Sequence, residues 1–132
     1  MNVLEPMLKE LNEEYFQGRH KLPEIRFMKH QSIKIFGRMD REKRLIEINP
    51  VLMKDMNVLR FVMWHELCHS ALRFNKKKKR KFRHFHDKKF KTLEMSYKDF
   101  SENKKRFVFF VRDYWLKEGY LSQDELKQMV VN

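Results

Sequence analysis

The sequence predicts one α+β domain, with helices surrounding a small sheet. Three patterns predict it: apolar residues at helical spacing near the start, short β-forming segments next, and further helical segments up to the end of the chain. With 132 residues, of which 42% are hydrophobic, the chain is long enough for one core and too short for two. We expect a single domain over residues 1–132, with a core at 1–100 and a helical tail at 101–132.

The elements are predicted in order along the chain. A first amphipathic helix is expected from Val3 to Phe16, ended by Gly18. Three β-forming segments predict a small sheet, and the polar turn Asp40–Lys43 predicts that the last two form a hairpin; the segments are Glu24–Lys29, Ile33–Met39 and Arg44–Ile48. Four helices are expected after the sheet: Asn57–Phe74, one starting at His84 or His86 and including Tyr97, Ser101–Lys117, and a short one opened by the capping box Ser122–Glu125.

The helix expected over Asn57–Phe74 contains His65-Glu66-Leu67-Cys68-His69, the H-E-x-x-H pattern of zinc-dependent hydrolases. Residues four apart lie on one helix face, so His65 and His69 can offer imidazole nitrogens to a single ion. Glu66 can take a proton from the attacking water. Because this helix is apolar nearly all round, we expect it in the core, where unpaired polar groups are costly. A zinc site therefore explains these residues better than a surface helix with incidental histidines.

A third zinc ligand is expected downstream, because catalytic zinc usually has three protein ligands. His84, His86 and Glu94 are the candidates, and the residues by themselves leave all three open. Cys68 lies between the two motif histidines but points away from their face, so we interpret it as a small core residue. His20 and His30 are interpreted as ordinary surface histidines.

Four segments occur in a distinctive order between about Leu11 and Met95: Tyr15-Phe16-Gln17-Gly18-Arg19-His20-Lys21-Leu22-Pro23, Ile46-Glu47-Ile48-Asn49, the H-E-x-x-H motif and His86-Asp87-Lys88-Lys89-Phe90. In this order the chain resembles the SprT-like zinc metallopeptidases, which carry a similar early stretch, a short sheet, H-E-x-x-H and a later His-Gly-x-x-Phe. The chain departs from that pattern at Asp87, where the family has glycine, and with a single cysteine we do not expect the zinc ribbon with which many members end.

The resemblance implies a zincin-like fold and one catalytic Zn²⁺ held by His65, His69 and His86. It also implies peptide hydrolysis with Glu66 as general base, and a strand at Ile33–Met39 whose edge could pair with an extended substrate. With Glu94 in place of His86, the site would be like that of the glutamate-zincins. The oxyanion stabiliser stays open among Tyr97, His84 and Tyr114.

The chain is strongly basic, with a formal net charge of +12. Much of the excess follows the motif helix, in a run that contains Lys76, Lys77, Lys78, Lys79, Arg80, Lys81 and Arg83. Such a run is either a solvated loop or a phosphate-binding patch. The best-understood SprT-like members degrade proteins crosslinked to DNA, so the resemblance favours DNA as a partner.

We therefore expect a zinc-dependent endopeptidase that acts on proteins near or bound to DNA. One alternative is a nucleic-acid-binding protein with a structural zinc site and no peptidase activity. Another is a latent peptidase whose aromatic tail, Phe107 to Val131, covers the cleft, although simple core packing of that tail is favoured. With one cysteine, no signal-peptide pattern and no membrane-spanning run, we expect a cytoplasmic, nucleoid-associated or nuclear protein that is not secreted and does not enter a membrane.

Overall fold

A computed structural model describes residues 2–72 and 87–122 and confirms the α+β class. Its elements are α1 (Leu4–Phe16), β1 (Glu24–Phe27), β2 (Gly37–Asp40), β3 (Leu45–Ile48), a 3-10 helix (Pro50–Lys54), α2 (Met56–Ala71), α3 (Lys88–Glu94) and α4 (Phe100–Lys117). The helix predicted after Ser122 falls on residues outside the described ranges. The helix predicted to include Tyr97 ends earlier, at Glu94.

The three strands form one sheet in the order β1-β3-β2, with β1 parallel and β2 antiparallel to β3. The predicted hairpin is confirmed, but β2 begins at Gly37 instead of Ile33. The side-chain amide of Asn49 hydrogen-bonds to two backbone carbonyls that precede β2, those of Ser32 (2.7 Å) and Ile35 (2.9 Å). Because a side chain, and not a neighbouring strand, binds these carbonyls, residues 33–36 do not extend the strand.

Ion pairs among three side chains also link the three strands on the exposed face of the sheet. Glu47 of β3 lies opposite Arg26 and Arg38 in the two flanking strands, and it accepts hydrogen bonds from their Nε atoms at 3.2 and 3.0 Å. Burial would raise the pKa of the Glu47 carboxyl, but the two arginines hold the pKa below its ordinary value. The opposite face of the sheet is thereby left for packing against α2.

Helix α2 occupies the centre of the core, as its all-round apolar sequence predicts. Asp55 caps it, because its carboxylate accepts hydrogen bonds from the backbone amides of Asn57 (3.0 Å) and Val58 (3.3 Å). Its side chains Leu59 and Trp64 are fully buried. The helix ends at Ala71, three residues earlier than predicted.

The early motif packs α1 onto α2. Tyr15 and Phe16 have ring centroids 4.5 and 5.7 Å from that of Trp64. Gly18 closes the helix with φ +72°, a left-handed conformation that glycine adopts without strain, and its amide donates to the Asn12 carbonyl at 3.0 Å. These residues of the resemblance thus position the motif helix.

Helix α4 covers the other side of α2. Val111 and Tyr114 belong to the hydrophobic core, and the Phe107 ring lies 5.9 Å from that of Phe36. Trp115 anchors the segment before β2 by donating to the Ile33 carbonyl at 2.6 Å. Within residues 2–72 and 87–122, no helix is both long enough and apolar enough to cross a membrane.

Candidate metal centre

The two motif histidines lie side by side on α2, as their spacing predicts. Their ring centroids are 5.0 Å apart, with an interplanar angle of 80°. His69 is buried and His65 is partly exposed. A pair of imidazoles on one rigid helix, with one ring reaching solvent, suits zinc, because imidazole nitrogen is among its preferred ligands.

Phe90 of α3 packs against both imidazoles. Its ring stacks on His69 at 4.3 Å and meets His65 edge-on at 5.1 Å. Asp87 fixes the start of this helix by accepting a hydrogen bond from the Phe90 amide at 2.9 Å. The aspartate that replaces the family's glycine therefore acts as a helix N-cap and holds Phe90 in place.

Glu94, at the other end of α3, contacts His65 through Oε2 and Nδ1. Its backbone is held as well, because Trp64 Nε1 donates to the Glu94 carbonyl at 3.0 Å. A carboxylate at Nδ1 favours the tautomer with the proton on that nitrogen, and Nε2 then carries the lone pair that a metal requires. The sequence made Glu94 a candidate metal ligand. Its contact with Nδ1 also suits a second role, in which Glu94 orients the His65 ring.

The Glu66 carboxylate is buried next to the sheet, with only 5% of the residue exposed. Burial raises the pKa of the Glu66 carboxyl to about 7; the charge of nearby His65 opposes this and that of Glu94 adds to it. A carboxyl group with a pKa near neutrality can both accept and release a proton at pH 7.

Gly37, the first residue of β2, lies directly against Glu66. A Cβ atom built on Gly37 would be 3.1 Å from both Cγ and Oε2 of Glu66 and 3.0 Å from Cγ1 of Val62. Gly37 was not predicted as a site residue. The chain has only three glycines, and Gly37 is the one that lies inside a predicted β-forming segment. A glycine in that position often marks a close approach of another group to the backbone, and this was the signal that could have identified it.

The remaining candidates near α2 have other partners. Cys68 is a buried core residue, and burial raises the pKa of its thiol, with the charges of Glu94 and Glu66 adding to the effect. The Tyr97 hydroxyl accepts a hydrogen bond from Arg60 at 3.0 Å. The Tyr114 hydroxyl donates to the Ser32 carbonyl at 3.2 Å. Both hydroxyls are thus engaged with residues outside the motif.

His20 differs from the surface histidine that its sequence context predicts. It is partly buried, and its Nε2 lies 2.8 Å from Oγ of Ser70, next to His69 on α2. Asn12 holds its backbone through two hydrogen bonds, and burial, followed by the charge of Arg44, lowers the pKa of the imidazole. His20 therefore fixes the end of α2 against the loop that follows α1.

Several predicted site residues lie outside the described ranges. They are His84, His86 and the basic run Lys76, Lys77, Lys78, Lys79, Arg80, Lys81 and Arg83. Among the residues that are described, no three His, Cys, Asp or Glu side chains form a group that could hold a metal ion. The described residues of the candidate centre are thus His65, His69, Glu66 and Glu94, and the assignment of all three metal ligands stays a prediction.

Comparison with known proteins gives a family. The model of the SprT-like family matches residues 4–106, which include all of α1, the sheet, α2 and α3. Searches of curated proteins and of solved structures found no match. Since the family match spans more than half of the chain and includes the motif helix, the protein belongs to the SprT-like family.

Proposed function

We propose that the protein is a zinc-dependent endopeptidase. The observation that carries the proposal is the arrangement on α2: His65 and His69 share one face, with 5.0 Å between ring centroids, and the buried Glu66 lies beside them. His65 and His69 would hold the ion, which would supply polarisation of the scissile carbonyl and activation of water. The donors fit this ion, because two imidazoles from an i, i+4 pair are a common part of catalytic zinc sites.

Glu66 is the general base of the proposed reaction. It accepts a proton from the attacking water and later delivers it to the leaving amine. Its position against β2 and its burial keep the carboxylate in one place, so the geometry is set before substrate binds. Water is the nucleophile throughout, and the peptide C–N bond is the bond that breaks.

His86 is proposed as the third ligand, with Glu94 orienting His65. The resemblance supports His86, which stands immediately before the cap residue of α3 and hence near Phe90 in sequence. The contact of Glu94 with Nδ1 of His65 supports the orienting role.

Zinc affinity distinguishes these roles. Loss of an orienting carboxylate usually weakens metal binding about 10- to 100-fold. We expect Glu94→Ala to fall in that range, His86→Ala to lose more, and His84→Ala to bind zinc like the wild type. A larger loss in Glu94→Ala than in His86→Ala would make Glu94 the ligand.

The substrate is proposed to bind as an extended strand along β2. This strand forms one edge of the described sheet, and its first residue lies against Glu66. An extended peptide paired with that edge would pass close to the base. The proposal therefore favours unfolded or loosely folded protein segments over compact domains.

DNA is proposed as a partner that brings protein substrates to the enzyme. The support is the net charge of +12 and the basic run between α2 and α3 in sequence. Binding through such a run should weaken steeply as salt rises. Replacing four of its lysines, Lys76 to Lys79, by glutamine should lower both DNA affinity and its salt dependence without changing the cleavage of free peptides.

The deciding experiment is cleavage of casein or histones by zinc-loaded wild type and by Glu66→Gln, with and without single-stranded DNA. We expect cleavage by the wild type, a loss of about 10²- to 10⁴-fold in Glu66→Gln, and stimulation by DNA. Equal cleavage by both proteins would remove Glu66 from the mechanism.

The same experiment tests the two alternatives. Stoichiometric zinc binding with no cleavage by either protein, under any condition, would favour a nucleic-acid-binding protein with a structural zinc site. If removal of the residues after Lys117 produced activity that the full chain lacks, the protein would be a latent peptidase. Activity of the full chain contradicts both.

A further inference from the structure

We propose that Gly37 is a positioning residue for Glu66: the absence of a side chain at Gly37 allows the carboxylate to lie against β2 at the position required of the base. The inference rests on the proposed peptidase function and deepens it. Its basis is the close approach between the first residue of β2 and Glu66. A Cβ on Gly37 would be 3.1 Å from Glu66 Oε2, closer than ordinary van der Waals contact.

The backbone at Gly37 cannot easily move away to make room. Gly37 is paired with Ile48 in the β2–β3 ladder, and the carbonyl of the preceding residue, Phe36, accepts a hydrogen bond from the backbone amide of Asn49 at 3.0 Å. The fully buried Asn49 side chain also holds the carbonyls of Ser32 and Ile35. The segment leading into β2 is therefore fixed on one side by β3 and its following loop.

Helix α4 fixes the same segment from the other side. Tyr114 donates to the Ser32 carbonyl and Trp115 to the Ile33 carbonyl. A shift of β2 would break bonds to both neighbours, and buried carbonyls that lose their partners cost free energy. An added methyl group would thus be accommodated mainly by movement on the α2 side.

On the α2 side, Val62 and Glu66 are one helical turn apart and share the contact with Gly37. Val62 is 5% exposed and belongs to the core, so the packing around it resists displacement. The Glu66 carboxylate is the end of a longer side chain and is the group most able to turn away. A side chain at position 37 would therefore displace the base from the reacting atoms while the fold persists.

Gly37 requires no special backbone angle, which separates this role from that of the other glycines. Its φ is not positive, whereas Gly18 and Gly119 have φ values of +72° and +69°. Alanine is therefore compatible with the strand conformation at position 37, and the contact alone decides the effect. Gly119 has nothing within 4 Å of a Cβ, so Gly119→Ala is a matched control that adds backbone strain without a contact.

The test measures kcat, KM and zinc affinity for Gly37→Ala, Gly119→Ala and wild type. Misplacement of a catalytic group by about 1 Å can cost on the order of 100-fold. We expect kcat of Gly37→Ala to fall about 10- to 100-fold, with KM and zinc affinity within about threefold of wild type. Gly119→Ala should lose stability and keep its kcat. An unchanged kcat in Gly37→Ala, or a zinc affinity that falls in parallel with kcat, overturns the proposal.

A second variant separates Glu66 from Val62 and guards against poor folding. Gly37→Ala/Val62→Ala removes the methyl group nearest the new Cβ and keeps the contact with Glu66; Val62→Ala alone is its reference. We expect the double variant to fold and to keep the low kcat. Recovery of kcat to the level of Val62→Ala would assign the effect to packing at Val62 and overturn the role in positioning Glu66. Absence of cleavage by the wild type would contradict the proposed function itself, which distinguishes the two failures.

Discussion

The two halves of α2, residues 56–63 and 64–71, differ in how their polar side chains are paired and buried. In the first half, Arg60 pairs with Glu14 at 2.5 Å and with the Tyr97 hydroxyl at 3.0 Å, and the cap residue just before it, Asp55, pairs with Arg106 at 2.9 Å. Glu14 and Arg106 are exposed and Tyr97 is buried, and these pairs hold the helix in the fold. In the second half, Glu66 and His69 are buried, and Glu66 has a carboxyl pKa raised by that burial.

The difference supports placing the proposed chemistry in the second half. A buried carboxylate with a raised pKa costs folding free energy when ionised, which makes Glu66 a candidate for a functional residue. The first half can lose a polar residue at the expense of stability alone. In the second half, replacing Glu66 or His69 should remove the proposed chemistry while stability changes little.

The largest expected effect on stability lies in the first half. Leu59 is fully buried, and Leu59→Ala should lower the free energy of unfolding by about 2–5 kcal/mol because it leaves a cavity. Urea unfolding measures the loss. Zinc affinity of the remaining folded protein should match that of wild type. Abolition of zinc binding in a folded Leu59→Ala protein would contradict the division between the halves.

A smaller effect is expected at the helix cap. Asp55→Ala should cost about 0.5–2 kcal/mol, because two backbone amides of α2 lose their acceptor. Asp113→Ala is the matched control, since it removes only an exposed i, i+4 ion pair with Lys117, for which about 0.3–0.5 kcal/mol is expected. Equal losses of unfolding free energy in the two variants would contradict a stabilising role for the cap.

Asp55 also predicts a pH dependence of stability. Burial would raise the pKa of its carboxyl, but hydrogen bonds from Arg106 and the backbone amides, together with the Arg106 charge, hold the pKa below its ordinary value of 3.8. The contribution of Asp55 is therefore fully present above pH 3.8 and is lost as pH falls through the lower folded-state pKa. Asp55→Asn keeps a cap acceptor and should flatten this acid dependence in urea titrations. An unchanged acid dependence would contradict the assignment.

The last effect, no larger than that of the cap, is expected where His20 meets the end of α2. Ser70→Ala removes one hydrogen bond and should lower the free energy of unfolding by about 0.5–1.5 kcal/mol. Because Ser70 follows His69 directly, zinc affinity is the informative second measurement, and we expect it to change less than for Glu94→Ala. A greater loss of zinc affinity in Ser70→Ala would make His20 part of the support of the metal site.

The local parts of this account were predictable from sequence. Helices α1, α2 and α4 begin within one residue of their predicted starts, because apolar spacing and the surrounding turn residues determine them. The pairing of His65 with His69 follows from the helical period. Two features depend on tertiary packing and were not predicted: the late start of β2 and the contact of Gly37 with Glu66. Each requires knowing which distant segment supplies the partner.

Zinc titration of the metal-free protein tests the central claim most directly, with His65→Ala, His69→Ala and Asp55→Ala measured beside the wild type. We expect one tightly bound zinc per chain in wild type and Asp55→Ala, and loss of tight binding in both histidine variants. Wild type that binds no zinc, or histidine variants that bind it as tightly as wild type, would contradict the assignment of α2 as a metal-binding helix.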